Sequence, residues 1–90
     1  MEKDLSNSKP MRNGELINQE GENYYIKISD DKVYEVAPVA YYIWYMCDGN
    51  STVDQIIERI SKEANLSIEQ LHDPVYTIIR ELLKAELISI

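Results

Sequence analysis

Apolar side chains recur with one period before Pro38 and with another after it. Between residues 24 and 29, Tyr24, Ile26 and Ile28 alternate with Tyr25, Lys27 and Ser29, the period of two expected of a strand with one buried face. Residues 32–36 repeat it, with Tyr34 and Val36 facing one way and Val33 and Glu35 the other, while residues 15–19 form a weaker strand. Turn residues separate the three: Gly21-Glu22-Asn23, then the glycine-free pair Asp30-Asp31. From Pro38 onward the period is helical. Ala40, Ile43, Trp44 and Cys47 fall at i, i+3, i+4 and i+7, one apolar stripe on a helix. Pro38 suits the first turn, where its missing N–H has no partner to lose, and Gly49 can take the left-handed conformation that closes a helix.

A second helix follows. Thr52 with Gln55 forms a capping box, in which the hydroxyl accepts from the backbone N–H three residues on and the amide reaches back. Val53, Ile56, Ile57, Ile60 and Ala64 make its buried stripe, and Glu58 with Lys62 and Arg59 with Glu63 occupy the solvated face. The third helix has two candidate starts. Ser67 with Gln70 offers another capping box, and Asp73-Pro74 offers a cap followed by a first-turn proline. The favoured reading is one kinked helix over residues 68–85; the alternative is a short turn before a straight helix from Pro74. Leu71, Val75, Ile78 and Leu82 supply a core stripe, and Tyr76, Ile79 and Leu83, with Arg80 beside them, supply a second. A helix at the rim of so small a domain seldom needs both, so the second stripe either packs on the sheet or walls a groove.

The expected fold class is therefore α+β: a three-stranded antiparallel sheet at the N-terminal end, then three helices. Residues 1–13 are polar and lack periodicity, so they read as a flexible tail ahead of one domain over residues 14–90.

Composition narrows the functional classes. Ninety residues bury a limited core and leave little room for a deep catalytic pocket. The net charge is −7, divided as −3 over residues 1–37 and −4 over residues 38–90. A DNA-binding domain needs a basic face, and the third helix sets Arg80 and Lys84 against Glu69, Asp73, Glu81 and Glu86. No nucleic-acid partner is expected. The longest apolar run, residues 37–47, is too short to span a bilayer, and residues 1–7 lack the apolar core of a signal peptide. A soluble cytoplasmic protein with no membrane partner is the expectation.

No catalytic constellation is visible. The single cysteine, Cys47, ends an apolar stripe and reads as a small buried hydrophobe; the single histidine, His72, is distant in sequence. One of each falls short of a zinc site, the three glycines do not form a phosphate loop, and Asp30-Asp31 and Asp48 lie at turns where carboxylates cap. Neither enzyme activity, metal nor cofactor is expected.

Ala40, Ile43-Trp44, the Asp48-Gly49 stop, Thr52-Val53-x-x-Ile56 and the closing Leu87-Ile88 together resemble the pyrroloquinoline quinone biosynthesis protein D (PqqD) family. The resemblance implies a winged helix-turn-helix-like α+β fold, one also known as the recognition element for ribosomally made, post-translationally modified peptides. The resemblance runs from Gly14 to Ile90 and rests mostly on core and cap positions. The chain departs from the family pattern at Ala37-Pro38, where Asn and an acidic residue are common, at Pro74 within the third helix, and at Glu86, where glycine is common.

The resemblance implies a non-catalytic module that binds the leader segment of a precursor peptide and delivers it to a modifying enzyme of the radical S-adenosylmethionine type. Production of pyrroloquinoline quinone itself is not implied, since the fold serves many peptide pathways. The leader is expected to add as an extended strand along Lys32, Val33, Tyr34, Glu35 and Val36, with side chains dropping toward Tyr76, Ile79 and Leu83. Glu35 could pair with a basic peptide residue and Arg80 with an acidic one. Tyr41 and Tyr45, away from the core stripe of their helix, either cover the sheet or present a patch to the partner enzyme. The rivals are a winged-helix DNA-binding regulator and a structural subunit of an enzyme complex that touches no peptide. Exposed strand edges leave a monomer or a strand-exchanged dimer open.

Overall fold

The computed structural model describes residues 7–90. The order is β1 (Met11–Arg12), β2 (Glu15–Glu20), β3 (Asn23–Ser29), β4 (Lys32–Val36), α1 (Pro38–Met46), α2 (Val53–Ala64), α3 (Ile68–Lys84) and β5 (Ile88–Ser89). A three-stranded antiparallel sheet in the order β2-β3-β4 precedes three helices, and β1 pairs with β5 in a small second sheet.

Period-two alternation sets the register of the main sheet. Leu16, Ile26 and Tyr34 lie abreast across β2, β3 and β4, as do Gln19, Tyr24 and Val36. Ile26 is fully buried on this face and Val36 nearly so, while Val33 on the opposite face is exposed. Gly21, at φ 58°, opens the tight β2–β3 turn. Neither Asp30 nor Asp31 has a positive φ, so the β3–β4 turn is not of the mirror-image type that suits a two-residue hairpin. A bulge at Ile28 absorbs the mismatch, because the register moves from Lys27↔Val33 to Ser29↔Lys32.

Both capping boxes form. Thr52 Oγ1 accepts from Gln55 N at 3.1 Å while Gln55 Oε1 accepts from Thr52 N at 2.8 Å; Ser67 and Gln70 do the same at 3.1 and 3.0 Å. The third helix starts at the first of its two candidate sites and runs unbroken through Pro74. It ends in a Schellman arrangement: Leu87 N donates to Leu82 O at 2.8 Å and Glu86 N to Leu83 O at 3.0 Å. Glu86 holds the left-handed residue of that motif, at φ 64°, the conformation that glycine adopts without strain.

The core gathers Ile26, Ile43, Trp44, Cys47, Val53, Ile56, Ile57 and Ile60 with Val75, Tyr76, Ile79, Leu82, Leu87 and Ile88. The predicted stripes of α1 and α2 hold, except that Ala64 is exposed. The expected pairs Glu58 with Lys62 and Arg59 with Glu63 are not within ion-pair distance among the described residues; Glu63 instead accepts from the Tyr42 hydroxyl.

The reading of residues 1–13 as a tail is corrected where the chain is described. Pro10 is fully buried, Arg12 N donates to Cys47 O at 2.7 Å, Gly49 N to Pro10 O at 2.9 Å, and Val53 N to Ser8 O at 3.2 Å. Residues 1–6 lie outside the described residues. Gly49 has φ 81° as expected, yet α1 has already stopped at Met46. A Cβ on Gly49 would meet Met11 Sδ at 3.0 Å, so its small size also admits the N-terminal segment.

Candidate functional site

β4 is an edge strand: it pairs with β3 on one side, and among the described residues no other main chain pairs with its outer side. Such an edge leaves alternate N–H and C=O groups ready to accept another strand. Directly beside it lies a groove of about 290 Å³. Tyr34, Glu35 and Val36 form one wall, Ile78, Glu81 and Leu82 of α3 with its C-cap residue Ala85 form the other, and Ala37, Ala40 and Leu87 complete the lining. The space exists because three of those positions are alanines, which hold the elements together without filling the gap. At one side the Lys32 Nζ and Glu86 Oε1 atoms, 4.0 Å apart, link the strand to the end of α3. Opposite the helices, Glu35 faces Tyr25 across the strand pair; burial, then Glu35 and Glu20, raise the Tyr25 phenol above its ordinary pKa.

The predicted strand residues therefore sit together on this edge, but the predicted helix residues do not join them. Ile79 is fully buried and Tyr76 nearly so. The Tyr76 hydroxyl donates to Asp54 Oδ1 of α2 at 3.2 Å, and the Arg80 guanidinium lies 6.0 Å from the Tyr76 ring centre. Arg80 and Tyr76 line a different hollow, with Asp54, Glu58 and His72. Leu83, half-buried, falls on the Tyr76 side of the helix by its i+7 spacing. The groove wall is instead formed by Ile78, Glu81, Leu82 and Ala85, which recur at i, i+3, i+4 and i+7. That spacing was the available signal. It was obscured because Ile78 and Leu82 also fit a core stripe and Glu81 fits a solvated one.

Tyr41 and Tyr45, two of the three tyrosines of α1, are placed differently. Tyr41 stacks on Tyr24 of β3, ring centres 3.9 Å apart and planes parallel, so it covers the sheet. Tyr45 remains 58% exposed, with the Arg12 guanidinium 5.2 Å from its ring centre.

The single cysteine lies outside the groove lining. Cys47 is fully buried, its Sγ–H donating to Ile43 O at 3.2 Å, and burial pushes its thiol up to about 12. Asp48 is held below the ordinary carboxylate range, first by the Asn50 N–H it accepts at 2.9 Å, as a turn cap requires. Among the described residues no three His, Cys, Asp or Glu side chains gather as a metal site, and no helix is long and apolar enough to cross a membrane.

Sheet, helices and free edge define a small α+β domain in which the β4 edge lies open beside an apolar groove. The family model for coenzyme PQQ synthesis protein D (PqqD) matches residues 16–88, and the chain belongs to that family. No curated protein and no solved structure gives a significant match.

Proposed function

We propose that the chain is a non-catalytic peptide-binding module, one that captures the leader segment of a ribosomally made precursor peptide and presents it to a separate modifying enzyme of the radical S-adenosylmethionine type. The observation that carries this reading is the unpaired edge of β4 lying against the groove of α3. A leader adding as a strand takes its affinity from main-chain hydrogen bonds along Lys32, Val33, Tyr34, Glu35 and Val36, and every second side chain drops between Tyr34 and Ile78. Capture raises the effective concentration of the reactive part of the peptide near the enzyme. Tyr45, exposed on α1 away from the groove lining, is the tyrosine available to that enzyme; Tyr41 is occupied by Tyr24.

Proline scanning of the edge tests the strand claim. Of Tyr34 and Glu35, adjacent in an antiparallel edge strand, one points its N–H outward. Replacing that residue by proline leaves the β3–β4 ladder intact and removes the β4 N–H that would donate to a carbonyl of the incoming strand. The folded variant is expected to lose at least about tenfold in peptide affinity, the equivalent of roughly one charge-neutral hydrogen bond. Full affinity in a folded variant would sink strand addition.

A further inference from the structure

The α3 wall of the groove carries one charge that the fold does not use. Glu81 lies in that wall, exposed, and makes no ion pair among the described residues, not even with Lys84 one turn on. Two other cations near this end of the molecule have partners of their own. Lys32 pairs with Glu86, and Arg80 lies against the Tyr76 ring on the α2 side of the helix. The rest of the α3 wall, Ile78, Leu82 and Ala85, is apolar. On the other face of β4, Glu35 stands beside exposed Val33.

An added strand alternates its side chains between these two faces. Inward residues meet an aliphatic wall interrupted by one carboxylate, and outward residues meet Glu35. Resting on the strand-addition reading, we infer that Glu81 is a specificity-determining residue: the groove selects an extended peptide with a lysine or arginine at one inward position and aliphatic residues two places away on either side. An acidic residue there would meet the Glu81 carboxylate in repulsion. This reverses part of the expectation drawn from sequence, because Arg80 does not reach the groove and no acidic peptide residue is called for.

Selection from a displayed library of random peptides about nine residues long, against the whole chain, tests this. Wild type is expected to enrich Lys or Arg over Asp or Glu at one fixed position by about tenfold, the scale of one exposed attraction replaced by a repulsion. Glu81→Lys is expected to invert the preference at that same position. The Glu81 side chain makes no hydrogen bond or ion pair among the described residues, so this variant keeps its structure, checked by its amide spectrum. Basic residues enriched at no fixed position, and equally by Glu81→Lys, would assign the preference to the net charge of −7 and overturn the inference. The reading beneath it fails differently: the enriched peptides would then bind the folded proline variant of β4 as tightly as wild type, whatever their charge.

Discussion

Glu86 shows what a single backbone conformation costs. Its φ of 64° closes α3 and turns the chain so that Leu87, 2% exposed, packs under Leu82, 3% exposed. A residue with a Cβ adopts that conformation at a cost of about 1–2 kcal/mol, and glycine, the residue common here in the family, avoids most of it. The Lys32 contact returns little, since both side chains are largely exposed and 4.0 Å apart. Glu86→Gly is therefore expected to stabilise the domain by about 1 kcal/mol, read as a rise in the urea midpoint; an unchanged or lower midpoint would contradict the strain argument. Features of this local kind were legible in the sequence. Both capping boxes, the first-turn Pro38 and the buried Cys47 depend on neighbours within a few residues, and the structure has them where the spacing put them.

At the scale of elements, legibility depended on how narrow each apolar stripe is. In α2 the four buried residues leave a single arc, and its phase follows from the sequence. In α3 the apolar residues Leu71, Val75, Tyr76, Ile78, Ile79, Leu82 and Leu83 cover so wide an arc that periodicity cannot say which edge meets α2 and which meets β4. Contacts distant in sequence decide it: Tyr76 reaches Asp54, and Ile78 is left at the groove. Pro74 posed a second ambiguity, settled by the cap, since Ser67 and Gln70 start the helix ahead of it. Being inside the helix, Pro74 offers no N–H to the carbonyl of Gln70. Pro74→Ala restores that bond. The gain expected is about 2 kcal/mol, from roughly 3 for a helix-interior proline less up to about 1 for the looser unfolded chain. A thermal or urea transition measures it, and a destabilised variant would mean that the helix requires the proline.

Across the whole molecule, the N-terminal segment is the part that sequence reasoning could not see. Nothing in the polar composition of residues 7–13 announces that Pro10 is buried or that Arg12 pairs with Ile88. Those contacts span most of the chain, and the Trp44 indole joins both ends by donating to Asn13 O at 3.2 Å and Leu87 O at 3.0 Å. A chain beginning at Gly14 would still contain the whole span matched by the family, residues 16–88. It is nonetheless expected to lose at least about 2 kcal/mol of stability, the scale of one large buried side chain and its surroundings. An unaltered denaturation curve would return residues 7–13 to the status of a tail.

The groove is likewise a property of the assembled molecule, since its walls come from β4 and from the far end of α3. Its occupation by a leader peptide is the central claim, and amide NMR titration of the whole chain, using short open-reading-frame peptides encoded beside its gene, tests that claim most directly. Saturable shifts concentrated in β4, from Lys32 to Val36, and along Ile78, Glu81, Leu82 and Ala85 are predicted. A folded sample that shows no saturable shift with any of these peptides would contradict it and favour a structural subunit bound to its enzyme alone.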